Sequence, residues 1–134
     1  MAGTGFNSNS RPYQVCRVDE NQPEIVKAFR RLGYSVALLH RAGEGVFDIL
    51  IGKHGLNVLV EIKDGAKDFY ARQFTKKQRL FNFAYQGMKC VCTSLDDVMA
   101  IDEQFTRLVR AIHAAGIVLQ IEGCKDPIYN PSLS

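Results

Sequence analysis

GVFDILIGKHGLNVLVEIKDG, residues 45–65, holds two apolar runs separated by Lys53-His54-Gly55. Asp48 interrupts the first run, and Glu61 and Lys63 close the second. A connection this short predicts an antiparallel β-hairpin. Side chains alternate along a strand, so Asp48 and Leu50 share a face, as do Leu59, Glu61 and Lys63. A two-residue turn at His54-Gly55 puts Lys53 opposite Leu56, Leu50 opposite Leu59, Asp48 opposite Glu61 and Phe47 opposite Ile62. A four-residue turn with the same centre keeps that register. An odd-length turn shifts the pairing by one and splits the carboxylates between faces.

The even register sets two acids side by side at the open end of the hairpin. Directly opposed like charges destabilise a sheet by up to about 1 kcal/mol, and partial burial makes this worse. A divalent cation offsets that repulsion, and hard carboxylate oxygens suit magnesium or manganese. Lys63, two residues beyond Glu61 on the same face, reaches the same pocket. The plainer alternative is a surface hairpin carrying a Glu–Lys pair, and the strongly apolar neighbours weigh against it.

Outward from the hairpin, residues 22–32 read as a helix, with Ile25, Val26, Phe29 and Leu32 at helical spacing and Lys27, Arg30 and Arg31 on the other side. Asp19 or Asn21 can cap its start, Pro23 suits its first turn and Gly33 its stop. A short strand over 34–39 and a glycine-containing loop precede the hairpin. Residues 64–74 form a polar loop, and a second helix runs over 76–86. Thr75-Lys76-Lys77-Gln78 has the pattern of a capping box. A strand over 88–93 follows, then helices over 96–101 and 104–115, and a short edge strand over 117–121. The antiparallel hairpin excludes an alternating parallel dinucleotide-binding sheet, and no Gly-x-Gly-x-x-Gly or Walker-type loop is present. An α/β sandwich on a small mixed sheet fits best.

The 134 residues suit one domain, expected over 13–124, with a flexible arm over 1–12 and a tail over 125–134. The first residues lack the charged start and apolar core of a signal peptide, and no apolar run is long enough to span a membrane. Cys16, Cys90, Cys92 and Cys124 match no zinc spacing and read as reduced thiols of a cytoplasmic protein. The net charge of +3 does not by itself establish a nucleic-acid partner. Its distribution says more. Lys67, Arg72, Lys76, Lys77 and Arg79 follow directly on Lys63, with Phe69 and Tyr70 among them, as in a phosphate-binding rim with stacking side chains. Arg41 could contribute from the loop before Asp48. His40, His54 and His113 carry no comparable signal.

Asp48 followed by Glu61-Ile62-Lys63 resembles the PD-(D/E)XK nuclease superfamily. The preceding helix, the hairpin and the following helix and strand resemble its common core over roughly residues 19–93. Within it, DENQPEIVKAFRRLGYSV followed by FDILI and LVEIK is most similar to small phage or archaeal Holliday-junction-resolvase-type nucleases and to the virus-type replication-repair nuclease domain. Phe47 stands where the motif has its proline. The resemblance implies a three-layer α/β/α restriction-endonuclease-like core and a magnesium- or manganese-dependent DNA endonuclease, with junctions or other branched DNA as candidate substrates. It implies metal binding by Asp48, Glu61 and the backbone carbonyl of Ile62, with Lys63 orienting the attacking water or stabilising developing charge. It also implies a further polar ligand from the first helix, Glu24 or alternatively Gln22, and a glutamine near the metal, Gln78. Resolvase-like relatives cut as symmetric dimers, and Phe105, Leu108, Val109 and Ile112 could serve a core or a partner copy. A non-catalytic nucleic-acid-binding module on the same fold is the alternative.

Overall fold

Residues 20–39, 41–43, 45–65 and 74–119 are described in a computed structural model of the chain. The expected arm and tail, and Cys16, Asp19, His40, Lys67, Phe69, Tyr70, Arg72 and Cys124, lie outside them. The order is α1 (Gln22–Arg31), β1 (Ser35–Leu38), β2 (Ile49–Lys53), β3 (Leu56–Ile62), α2 (Lys76–Ala84), β4 (Lys89–Cys92) and α3 (Leu95–Ala114). The four strands form one sheet in the order β1-β2-β3-β4. The β1–β2 and β2–β3 pairs are antiparallel and β3–β4 is parallel, so the chain is α/β with a small mixed sheet.

The hairpin takes the even register. Lys53 pairs with Leu56 across His54-Gly55, and Leu50 with Leu59. His54 and Gly55 both have positive φ, 55° and 82°, as a type I′ turn requires. That turn's twist matches the strands it joins. The pairing ends at Ile49 with Val60, and the next position outward sets Asp48 against Glu61.

Alternation then sorts the two faces. Ile49, Ile51, Val58, Val60 and Ile62 enter a core with Ile25, Val26 and Phe29 of α1 and Val98, Phe105 and Val109 of α3. Burying each such side chain contributes about 1.5–3 kcal/mol, which pins the register from one side. Glu61 alternates with Val60 and Ile62, so it faces away from that core. It meets Gln78 of α2, which therefore serves the opposite face.

Both ends of α1 are fixed to the rest of the fold. At its stop, Gly33 N–H donates to Arg30 O and Tyr34 N–H to Phe29 O, a Schellman motif whose apolar contact is the edge-on Phe29–Tyr34 pair. The Tyr34 hydroxyl donates to Asp102 Oδ1 of α3 at 2.8 Å. At its start, Asn21 occupies the cap position but does not cap with its side chain. Its Nδ2 donates instead to Lys63 O and Thr93 O, both at 3.3 Å, and so fixes α1 to the ends of β3 and β4.

Three expectations are corrected. The helices expected over 96–101 and 104–115 are one helix, because no glycine or proline separates them and the apolar stripe of Val98, Phe105 and Val109 runs through the junction. Residues 117–119 form no strand: Ile117 N–H donates to Ile112 O and Gly116 N–H to His113 O, which closes α3. Positions 120 and 121 lie outside the described residues. α2 ends at Ala84 and buries no residue fully; Leu80 is exposed and Phe83 is 90% exposed. Among the described residues no helix is long and apolar enough to cross a membrane.

Candidate functional site

β2 and β3 bring Asp48 and Glu61 together, and β3 adds Lys63. Glu61 is 2% exposed and Lys63 8%. Lys63 Nζ lies 3.2 Å from Glu61 Oε2 and donates to Gln78 Oε1 at 3.0 Å. Gln78 Nε2 donates to Glu61 Oε2 at 2.7 Å. Ile62, expected to offer its carbonyl, contributes its N–H, which donates to Asp48 Oδ2 at 2.7 Å. That bond holds the Asp48 carboxylate against β3.

Burial pushes Glu61 up to about 8, the neighbouring Asp48 adds to the rise, and Lys63 opposes it. The lysine therefore offsets only part of the cost of an acid pair at this depth. Glu61 Oε1 is buried with no hydrogen-bond partner among the described residues. A hard divalent cation suits a site of this kind, where an orphaned carboxylate oxygen adjoins a second acid. Among the described residues no three His, Cys, Asp or Glu side chains converge, so such an ion would rest on two carboxylates with neutral oxygens beside them.

Gln78 had two competing expectations, a helix cap and a site residue; it forms the cap, and its side chain also reaches Glu61 and Lys63. Its Oε1 accepts from Thr75 N at 3.0 Å while its N–H donates to Thr75 Oγ1 at 3.2 Å, which completes the capping box. The same Oε1 accepts from Lys63. Helix start and acid pair are thus joined through one amide. Phe47 supports this junction. It is buried, and it packs against Phe74 at 5.7 Å and Phe81 at 5.6 Å, between Asp48 and α2.

Gln22 and Glu24, the two candidates from α1, separate cleanly. Glu24 is exposed and lines a shallow depression with Asp64 and Asp96. It makes no contact with Glu61. Gln22 is 3% exposed, and its Oε1 has no hydrogen-bond partner among the described residues. The side chain turned inward at this end of α1 is the amide.

The basic rim is only partly described. Lys76, Lys77 and Arg79 are exposed on the first turn of α2, where Arg79 Nη1 donates to Phe74 O at 3.1 Å. Arg41 is exposed in the loop before Asp48. His54 sits at the far turn of the hairpin and His113 in the last turn of α3, both away from the acids. Burial raises Cys90 to about 11 and Cys92 to about 12, so neither offers a thiolate at neutral pH.

Two positioning residues carried no sequence signal of this role. Asn21, one of two cap candidates with Asp19, occupies the cap position but acts as a bridge between strand ends. Gly45, with φ of 77°, lies so close to α2 that a Cβ there would sit 2.3 Å from Lys77 O and 2.9 Å from Gln78 N. Only a glycine lets the loop before Asp48 pass over the start of α2 at that distance.

No known protein-family profile, curated protein or solved structure matches this chain.

Proposed function

We propose that the protein is a divalent-metal-dependent DNA endonuclease with a PD-(D/E)XK-type site on a restriction-endonuclease-like core. The observation that carries this reading is the pairing of the half-buried Asp48 with the buried Glu61 beside Lys63 and Gln78. A fold serving stability alone gains little from two acids at this depth, since apolar substitutes for buried ionic groups are often neutral or stabilising.

Asp48 and Glu61 are the residues that would hold a magnesium or manganese ion. When bound, such an ion neutralises phosphate charge and lowers the pKa of water. Lys63 supplies a cation that stabilises charge developing on the phosphoryl oxygens. Gln78 holds that lysine and Glu61 in a fixed relation. Lys76 and Lys77 attract the DNA backbone at the same edge. Branched or junction DNA is the substrate class that the resemblance favours.

The test incubates the protein with plasmid, linear, flap and four-way-junction DNA plus magnesium or manganese. Cleavage is expected, and it is expected to vanish in Asp48→Asn and Lys63→Met. Equal cleavage by those variants would sink the assignment. A second reading, a non-catalytic nucleic-acid-binding module, draws on one observation: α1 turns Gln22 inward and leaves Glu24 outside, so it brings no third acid. Calorimetry decides between them, because DNA binding without any divalent-ion binding favours the module.

A further inference from the structure

A groove runs along α1 and the edge strand β1. Val26 and Leu38 form its apolar part, and Lys27, Arg30 and Arg31 line its side. No carboxylate is among its lining residues. All three cations are exposed, and among the described residues no ion pair engages them. Like charges three and four positions apart on a helix repel one another. The helix dipole accounts for Arg30 and Arg31 in the last turn, but its effect does not extend to Lys27 in the middle of α1. An external anion would offset the repulsion among all three.

The groove begins at the candidate site. Leu38 precedes Leu39, whose N–H donates to Asp48 O at 2.8 Å. Gln22, at the other wall, follows Asn21, whose amide reaches Lys63 O. α1 packs on the apolar face of the sheet and Gln78 of α2 serves the opposite face. The cations of α1 run from its middle to its last turn, beside Leu32, whose carbonyl accepts from Lys53 at the hairpin's turn, so they follow the α1 side of the sheet away from the open end, while those of α2 lie on the other side.

We propose that the α1–β1 groove is a second phosphate-binding track, which holds the DNA backbone on the side of the Asp48–Glu61 pair opposite α2. This rests on the nuclease reading. DNA is the occupant that fits, because the cations are unpaired, follow one line and lead directly to a site for phosphodiesters. The track makes the footprint longer than the α2 rim alone would give.

The experiment measures binding of a fluorescent duplex and a four-way junction by anisotropy at several salt concentrations, in EDTA so that nothing is cut. The wild type is compared with the combined variant Lys27→Gln, Arg30→Gln, Arg31→Gln. The slope of log K against log salt is expected to flatten by about 2–3, and affinity near 0.15 M salt to fall roughly a hundredfold. A circular-dichroism melt checks that the variant folds. Independently of any variant, acetylation of wild-type Lys27, read by mass spectrometry, is expected to be suppressed by DNA. Unchanged slope and affinity in a folded variant, or equal acetylation with and without DNA, would overturn the track while leaving the nuclease reading intact. Suppression by polyglutamate but not by DNA assigns the groove to an acidic protein segment and also overturns it. A wild type that neither binds nor cuts any of the DNAs overturns both.

Discussion

The β2–β3 hairpin carries a lysine at each end, and the two are held by different kinds of partner. Lys53, at the turn, donates to Leu32 O at 2.6 Å and lies 4.9 Å from the centre of the Tyr34 ring. Its partners are the carbonyl of Leu32, the cap residue of α1, and an aromatic face, and among the described residues no acid pairs with it. Lys63, at the open end, faces Glu61 and Gln78. Lys53 satisfies an acceptor that any helix end leaves behind. Lys63 relieves part of a charge problem that the fold itself creates by setting the half-buried Asp48 against the buried Glu61. The first arrangement is complete as it stands. The second leaves Glu61 Oε1 without a partner and Glu61 reluctant to ionise. Similar lysines on one hairpin thus mark a structural end and, on the proposed reading, a chemical end.

The sharpest way to break this contrast is to remove each lysine in turn. Lys63→Met is expected to lower DNA cleavage by at least about 10²–10³-fold, the usual loss when a charge-stabilising group leaves a reaction site. Lys53→Met is expected to leave cleavage within about twofold and to cost about 1.5–3 kcal/mol of stability, the contribution of one hydrogen bond from a charged donor. Plasmid cleavage and urea unfolding measure the two effects. Equal losses of cleavage would erase the distinction between the ends.

The acid pair gives a second test, through pH. Glu61 ionises near 8 in the folded chain and near the ordinary 4.5 once unfolded. A raised carboxyl pKa stabilises the fold fully below the unfolded value, and that contribution is lost as pH rises through the folded value. In EDTA the stability attributable to Glu61 should therefore fall between about pH 4.5 and 8, with a slope of at most about 1.4 kcal/mol per pH unit. Glu61→Gln is expected to remove that slope and to abolish cleavage. Manganese should stabilise the wild type most above pH 8, where Glu61 is ionised, by about 2.7 kcal/mol at a hundredfold excess over its Kd. It should leave Glu61→Gln unmoved. Parallel urea-midpoint profiles for the two proteins would show that Glu61 is not the titrating group.

Much of the chemical end could be read from the residues, because it depends on counting. The period-2 alternation and an even turn at His54-Gly55 suffice to set Asp48 against Glu61, and the observed register is that one. Gly33 as the stop of α1 and Thr75 as the cap of α2 were equally legible, since each acts through its own backbone neighbourhood. What escaped depends on contacts between distant segments. Gly45 looks like any loop glycine until the backbone of Lys77 is placed over it. Asn21 looks like a cap because its reach to Lys63 O and Thr93 O spans 42 and 72 residues of sequence. The break expected inside α3 is absent for a local reason: Asp102-Glu103-Gln104 is polar but contains no glycine or proline, so nothing stops the helix between its two apolar segments.

Gly45→Ala probes the support of the chemical end rather than its chemistry. A methyl group at 2.3 Å from Lys77 O cannot be accommodated without moving backbone on one side. The positive φ adds strain for any side chain. The expected cost is about 1–3 kcal/mol. Cleavage should fall further than this stability loss implies, because the segments displaced carry Asp48 and Gln78. The matching change at the turn end, Gly55→Ala, is expected to cost stability alone. Thermal melts and single-turnover cleavage would separate the two cases.

Thr75→Ala gives the smallest expected effect and the finest test of how the chemical end is built. It removes the hydroxyl that accepts from Gln78 N, a cap contribution of about 1 kcal/mol. The Gln78 side chain keeps its bonds to Thr75 N, Lys63 and Glu61, none of which needs that hydroxyl. Stability should therefore fall by the cap's contribution, while cleavage falls less than about threefold, because 1 kcal/mol lost at the helix start is not lost between Gln78 and Glu61. If cleavage instead falls tenfold or more at the same small loss of stability, the capping box and the acid pair act as one unit, and order at the start of α2 sets the position of Lys63. Nothing equivalent acts on Lys53, whose carbonyl partner belongs to a helix end already closed by its own backbone bonds.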